Sequence, residues 1–125
     1  MSLLRRRAMM RVNDDRIIYF TTICEKGTFY VYDGLEANAD NRARTVKNIV
    51  LNSGKYMLNA DGIERGSVFM WDEHGEFIGY YPSVQTELPF EFTISEKRLI
   101  RCVFSHLNNS IVNPNVIKNI IFKKI

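Results

Sequence analysis

The sequence predicts an all-β protein, a single antiparallel β-sandwich of about eight or nine strands behind a short N-terminal arm. Three observations support this fold class. Runs of β-branched and aromatic residues of strand length are separated by turn signals at intervals of about 8–12 residues. Several runs alternate their side chains with a period of two, and no segment shows the 3.6-residue periodicity of a proper helix. The length of 125 residues suits one domain.

The basic charge of the chain is concentrated in its first residues. The formal net charge is +3, but the segment 1–11 carries four arginines and no acid, which leaves −1 for the remainder. We therefore divide the chain into a basic arm over 1–15 and a sandwich domain over 16–125. As an anchor, the arm would dock apolar side chains into a partner; as a solvated tail, it would be dispensable. The candidate anchoring residues are Leu3, Leu4, Arg5, Arg6, Arg7, Met9, Met10 and Arg11.

The first part of the body predicts a hairpin. Arg16–Ile23 and Thr28–Tyr32 are strand-like runs, and Glu25-Lys26-Gly27 between them is a short glycine-containing break. The polar stretch Leu35–Thr45 predicts a loop with a short edge strand. A brief helical turn over Glu36–Arg44 stays open as an alternative, because propensity alone does not separate the two.

Strand-like runs and turn signals alternate more regularly from residue 46 onward. Tyr81-Pro82 is one of the turn signals between these strands, beside glycine- and asparagine-containing turns. Seven further strands are predicted: Val46–Leu51, Lys55–Asn59, Ser67–Asp72, Phe77–Tyr81, Phe90–Ile94, Leu99–Ser105 and Val116–Lys123.

Alternation indicates which way the side chains of these strands point. In Phe90–Ile94, the two phenylalanines and the isoleucine share an inward face, and the glutamate and threonine face outward. Along 68–71, valine and methionine share one face while phenylalanine and tryptophan share the other. In Leu99–Ser105, Ile100, Cys102 and Phe104 share a face and Arg101 lies opposite.

The serial order of four segments resembles one family of modules. The segments are Gly27–Gly34, Leu51–Leu58, Phe69–Ile78 and Phe92–Glu96. In this order they resemble a jelly-roll sandwich of bacteriophage tail, fibre and appendage proteins, which is itself similar to carbohydrate-binding modules. The resemblance implies a virion structural or appendage protein, made in the bacterial host cytoplasm, whose partners are other virion proteins. It implies host glycans as the alternative ligand, which would make the chain a carbohydrate-binding module.

Enzyme signatures are missing from the sequence. It has no nucleophile elbow, phosphate loop, zinc-protease helix or cysteine pair at zinc spacing. His74 and His106 are interpreted as solvated turn residues, and Cys24 and Cys102 as buried thiols of a protein made in a reducing compartment. We therefore expect a non-enzymatic protein with no catalytic residue, no metal and no cofactor.

Two classes of partner are not expected. Because no apolar run approaches the roughly 20 residues that cross a bilayer, the sequence predicts no membrane partner. Nucleic acid is not expected either, since the body is nearly neutral and contact through the arm alone would be sequence-blind. Exposed edge strands favour pairing with a second copy, so a homo-oligomer is a candidate assembly.

A glycan surface is the sharper functional hypothesis. Sugar sites place an aromatic ring against the apolar face of a pyranose and polar side chains near its hydroxyl groups. The candidate residues are Trp71, Tyr80, Tyr81, Tyr56, Asp72 and His74. A lone tryptophan in a sandwich strand is more often part of the core, and this alternative is favoured for Trp71. One of the adjacent pair Tyr80-Tyr81 must face outward.

Overall fold

The computed structural model describes residues 17–20 and 23–125, and side-chain contacts are given for 23–125. The predicted arm over 1–15, with its candidate anchoring residues, lies outside the described residues. Twelve strands and one 3₁₀ turn, Pro114–Val116, form the regular structure of the described part. The strands are β1 (Ile17–Phe20), β2 (Cys24–Lys26), β3 (Thr28–Phe29), β4 (Glu36–Ala37), β5 (Ala43–Thr45), β6 (Ile49–Leu51), β7 (Gly54–Asp61), β8 (Arg65–Trp71), β9 (Phe77–Glu87), β10 (Phe90–Ile94), β11 (Arg98–Ser105) and β12 (Lys118–Lys124).

The strands form two sheets that pack face to face and a separate ribbon. The first sheet has the order β1-β12-β7-β10, and the second has the order β2-β5-β11-β8-β9, with β6 also paired to β11. The ribbon consists of β3 and β4. Every pairing is antiparallel. The predicted all-β sandwich is therefore confirmed.

The order of the strands is that of a jelly roll. β5 pairs with the end of β11 and β6 pairs with its beginning, so together they occupy one position beside this strand. Counting them once, and setting aside the short edge strand β2 beside β5, the sandwich has eight principal strands, in the sheet orders first–eighth–third–sixth and second–seventh–fourth–fifth. These orders produce the two interlocked Greek keys of the jelly roll.

The main core lies between the two sheets and confirms the predicted alternation. Tyr56, Leu58 and Phe122 from the first sheet meet Val68 and Phe104 from the second. In β10 the phenylalanines and the isoleucine are buried, and the glutamate and threonine are exposed. None of the described residues belongs to a helix with the length and hydrophobicity needed to span a bilayer.

The two cysteines are free and buried in this core, as predicted. Burial raises the pKa of Cys24 from the ordinary value of 9.0 to about 11. Burial, and then the nearby Cys24, raise the pKa of Cys102 well above its ordinary value. Both side chains are therefore neutral thiols near pH 7, which is the unreactive form.

The predicted hairpin at the start of the body is wrong. Instead of pairing with each other, the first run contributes β1 to the first sheet, the second run contributes β3 to the ribbon, and the segment between them forms β2 of the second sheet. β1 pairs with β12, β2 pairs with β5, and β3 pairs with β4. The expected break at Glu25-Lys26-Gly27 is reduced to Gly27, whose φ of +138° makes the bend. No α-helix occurs in the described ranges, and Glu36–Arg44 contains β4 and part of β5 rather than a helical turn.

The predicted turn at Tyr81-Pro82 is also wrong, because β9 continues through both residues to Glu87. β9 is the last strand of the second sheet and is paired only with β8. A proline lacks the backbone N–H, but on an edge strand that group needs no partner in the sheet.

The ladder between β8 and β9 shifts register between Gly66 and Val68. The side-chain amide of Gln85 donates to the Val103 carbonyl, with 3.0 Å between Nε2 and O.

A buried arginine fastens the ribbon to the second sheet. Arg44 in β5 is 8% exposed. Its Nε donates to Glu25 Oε2 at 2.7 Å, and its Nη1 donates to the carbonyl oxygens of Thr28 and Ala37, each at 3.0 Å. Its Nη2 lies 3.4 Å from Glu36 Oε1. One guanidinium therefore binds β2 and both strands of the ribbon.

We expect Arg44→Ala to lower the free energy of unfolding by about 3 kcal/mol, because it leaves ribbon carbonyls and Glu25 without their donor. Urea unfolding followed by circular dichroism measures this loss. The control is Lys55→Ala, since Lys55 pairs with Glu91 at 3.2 Å on the surface with both side chains about half exposed. This pair should contribute about 0.5 kcal/mol or less. Equal losses in the two variants would contradict the role given to Arg44.

Candidate functional site

The outer face of the second sheet carries a small aromatic cluster, separate from the main core. Phe29 of the ribbon is buried there against Phe69, with 5.3 Å between the ring centroids. Trp71 contacts Phe29 edge-on at 5.3 Å, and Phe77 lies 5.6 Å from Trp71. Tyr80 stacks on Phe69 at 5.4 Å. The ribbon therefore covers one part of this face and leaves Trp71 half-buried at its margin.

A depression opens beside the ribbon, and we call it the outer groove. It has a volume of about 270 Å³. Its walls come from the ribbon with its turn, the segment before β6, strands β8 and β11, and the turn after β8. The lining residues are Phe29, Gly34, Leu35, Glu36, Asn48, Trp71, Gly75, Leu99 and Arg101.

The polar groups of the outer groove differ in how firmly they are held. Arg101 Nε donates to the Thr45 carbonyl at 2.8 Å, and its Nη1 donates to Glu36 Oε2 at 3.1 Å. Its guanidinium carbon lies 4.6 Å from the centroid of the Phe29 ring, in the range of a cation–π contact. Asn48 is exposed. Within the described part of the chain, neither its amide nor the indole N–H of Trp71 has a hydrogen-bond partner. These two groups can therefore bind a ligand.

Three predicted site residues lie at the outer groove or beside it. Trp71 lines the groove, and its half-burial lies between the two interpretations that the sequence left open. Asp72 Oδ1 accepts the backbone N–H groups of His74 and Glu76, each at 2.9 Å, and thereby closes the turn between β8 and β9. The hydrogen bond from Glu76, and then that from His74, lower the pKa of Asp72. His74 is exposed at this turn, in an adjoining depression.

The other three predicted residues do not belong to this surface. Tyr56 is 2% exposed in the main core, and its hydroxyl donates to the Asn52 carbonyl at 2.7 Å, so its place in a glycan surface is corrected. Tyr80 is half-buried against Phe69 of the aromatic cluster and does not line the outer groove. Tyr81 is exposed, but it pairs with Val68 on the opposite face of β9, near Phe92. Adjacent strand residues point to opposite faces, so Tyr80 and Tyr81 cannot share one site.

The turn of the ribbon carries two exposed tyrosines that the sequence pattern did not predict as part of the site. Tyr30 and Tyr32 are exposed there and stack on each other, with 5.7 Å between centroids and 21° between planes. Gly34 N–H donates to the Tyr30 carbonyl, and the Asp33 carboxylate accepts the N–H of Leu35, each closing part of the turn. The Asp33-Gly34 pair signals a turn, but placing Tyr30 and Tyr32 in a strand hid their position at its start.

Comparison with known proteins adds no relative: no family model and no curated protein matches the chain. Within the described ranges, no group of three or more histidine, cysteine, aspartate or glutamate side chains is arranged to hold a metal ion. What the structure shows is a jelly-roll sandwich with an aromatic groove on the outer face of its second sheet.

Two glycine variants test whether the ribbon turn packs closely against Trp71. Gly34 has a φ of +72°, and a Cβ there would lie 2.5 Å from Phe77 Cδ1 and 3.0 Å from Trp71 Nε1. Gly75 has a similar φ of +83°, but a Cβ there would meet no atom within 4 Å. Both alanine variants should therefore bear a similar backbone strain. Only Gly34→Ala should push the turn off Trp71.

Fluorescence measures this displacement, because Trp71 is the only tryptophan of the chain. We expect a red-shifted emission and faster acrylamide quenching in Gly34→Ala, and an emission close to that of the wild type in Gly75→Ala. Identical spectra in the two variants would contradict the close seating of the turn on Trp71.

Proposed function

We propose that this protein is a non-enzymatic glycan-binding module whose outer groove takes a pyranose ring. One observation carries the proposal: the half-buried Trp71, the fixed Arg101–Glu36 pair and the exposed Asn48 surround one depression. A pyranose presents an apolar C–H face and equatorial hydroxyl groups. An aromatic side chain with a few directed polar groups is complementary to both.

The charges of the outer groove favour a neutral sugar. Arg101 is balanced by Glu36 at 3.1 Å and holds the Thr45 carbonyl as well, so the groove offers oriented donors and acceptors without a large net charge. Glu36 is also in contact with Arg44, 3.4 Å away, which fixes its carboxylate between two guanidinium groups. Such a preorganised pair can donate and accept hydrogen bonds without losing much side-chain entropy on binding.

The ribbon turn extends the surface that a longer glycan would meet. Leu35 lines the groove and is 64% exposed, and the Tyr30 N–H donates to its carbonyl at 2.9 Å. The stacked pair of Tyr30 and Tyr32 lies in the same turn of the ribbon. Exposed apolar and aromatic side chains grouped in this way mark an interaction surface more often than isolated ones do.

Binding should depend on one face of the second sheet. We expect Asn48→Ala and Trp71→Phe each to weaken glycan affinity about tenfold, which is the effect of losing one directed hydrogen bond. Tyr81→Ala is the control, since Tyr81 is exposed on the opposite face of β9. A glycan array identifies the ligand, and calorimetry on its best member measures the affinities.

Two outcomes would overturn the glycan proposal. One is an array without signal for the folded wild-type protein. The other is an equal loss of affinity in Tyr81→Ala and Asn48→Ala, since such a loss would not come from the outer groove. Thermal unfolding of each variant separates a loss of folding from a loss of binding.

A role in a virion is a second proposal, and the strand order favours it. Jelly-roll sandwiches are common in viral capsid and lectin domains. The sequence resemblance to phage appendage modules and the basic, leucine- and methionine-containing arm support the same role. In this proposal the sandwich presents the outer groove and the arm attaches the protein to other virion proteins.

Deletion of Met1–Arg11 tests the attachment. We expect the shortened protein to keep its β-type circular dichroism spectrum, because the described sheets contain none of the deleted residues. It should be lost from purified particles, as measured by immunoblot of gradient fractions from the producing strain. Unchanged incorporation of the shortened protein would contradict the anchor.

A further inference from the structure

Two arginines converge at the end of the second sheet where β11 finishes. Arg65 begins β8 and pairs in register with Ser105, the last residue of β11, while Arg42 directly precedes β5. Arg42 Nη1 donates to Asn109 Oδ1 at 3.1 Å, and Arg65 Nη2 donates to the same oxygen at 2.5 Å. Two guanidinium groups therefore share one neutral acceptor.

Neither guanidinium forms an ion pair with a carboxylate in the part of the chain that the structure describes, and the pKa of Glu64 is lowered most by its hydrogen bond with His106 and least by the charge of Arg65. Neither guanidinium has an acidic oxygen within 4.0 Å, although Glu87 is opposite Arg65 in the β8–β9 ladder. Glu64 is next to Arg65 in sequence, but its Oε1 accepts the Leu107 N–H at 3.1 Å and contacts His106 Nδ1 at 3.0 Å. Glu64 is thus held by the neighbouring loop.

The charged form of Arg42 is disfavoured in this arrangement. Burial, and then the like charge of Arg65, lower the pKa of Arg42. Like charges in a partly desolvated place disfavour each other, and a bound anion between them would reverse the effect. Among the other arginines of the second sheet, Arg44 and Arg101 each have a glutamate partner, whereas Arg98 at the start of β11 has no ion pair in the described part of the chain.

The N–H groups of Arg42 and Arg65 that have no acceptor within the described part of the chain match an ion with several oxygen atoms. Each guanidinium has five N–H donors in a planar fork. Arg42 bonds the Asn41 carbonyl besides Asn109, and Arg65 bonds the His106 carbonyl besides Asn109. The Arg65 Nε is buried and has no acceptor in the described part of the chain. Donor forks of this kind bind carboxylate, sulfate and phosphate groups through two oxygens at once.

The loop after β11 holds the acceptor that the two arginines share. The turn after β11 holds Asn109 with a φ of +61°, and its N–H donates to the His106 carbonyl at 3.0 Å. The same loop, through Leu107, Asn108 and Ser110, lines a depression of about 530 Å³ with Glu64 and His106, and neither arginine is among its lining residues.

We propose that Arg42 and Arg65 form a binding site for an oxyanion group, separate from the outer groove and independent of its function. The ligand class is a molecule with a carboxylate, sulfate or phosphate group. The neutral Asn109 oxygen keeps the two guanidinium groups in place, and the anion completes their hydrogen bonding.

Titration of the full-length protein with sodium sulfate, sodium phosphate and sodium acetate tests the site, with ionic strength held constant by sodium chloride. The ¹H–¹⁵N spectrum reports the Nε–H signal of Arg65 and the side-chain amide of Asn109. We expect a saturable shift of both signals with at least one of the three anions. Saturation with sulfate and phosphate would assign a tetrahedral anion, and saturation with acetate would assign a carboxylate.

Three variants make the test specific. Arg42→Gln should weaken the anion affinity about tenfold or more, and Arg42→Lys should weaken it less, because a lysine keeps the charge and loses the fork. Arg98→Gln is the matched control, since Arg98 lies at the other end of β11 and should leave the affinity unchanged. Linear shifts without saturation, or equal affinities in the wild type and Arg42→Gln, would overturn the proposal.

Discussion

The outer groove depends on one buried ion, the guanidinium of Arg44. Removing a charge from water costs several kcal/mol unless it is paired and hydrogen-bonded, so a buried arginine dictates what surrounds it. Here Glu25 and two ribbon carbonyls meet that requirement at 2.7–3.0 Å. The short strands β3 and β4 have only two residue pairs of their own ladder. Their position on the sheet therefore follows from Arg44, and the position of Phe29 follows from theirs.

The ribbon explains why the second sheet is apolar on both faces. Val68 faces the main core, whereas Phe69 is 1% exposed in the outer cluster under the ribbon. A two-residue period predicts correctly that neighbours along β8 separate into two faces. It does not indicate which face meets the other sheet, because both are apolar. The sequence therefore left open whether Trp71 belongs to the core or to an exposed surface. In the structure it is half-buried, at the margin of the smaller outer cluster.

The parts of the fold that were predictable are those governed by local pattern. The bounds Phe90–Ile94 are predicted as the structure has them, because this strand alternates cleanly and ends at strong turn signals. The pairing of β1 and β2 was not predictable, since β12 lies at the other end of the described chain and β5 follows only after the two strands of the ribbon. The turn predicted at Pro82 was wrong for a related reason. A proline breaks a strand unless that strand lies at the edge of a sheet, and edge position is a property of the assembled sheet. At the candidate site, Trp71 was found by residue type, whereas Asn48 and Arg101 enter only through tertiary contacts.

The two proposed sites use arginine in physically different ways on the same sheet. Arg101 is balanced by Glu36, so it acts in the groove as a fixed set of hydrogen-bond donors. Arg65 and Arg42 share a neutral oxygen, so they act as uncompensated charge. Arg101 and the residue paired with Arg65, Ser105, are four positions apart on β11, which is about 13 Å along a strand. That separation exceeds the Debye length of roughly 8 Å that screens exposed charges at physiological ionic strength, and Arg101 and its partner Glu36 would respond to the charge of a bound anion in opposite senses. An anion bound near Arg65 would therefore change little at Arg101, and a neutral sugar and an oxyanion can occupy the sheet together.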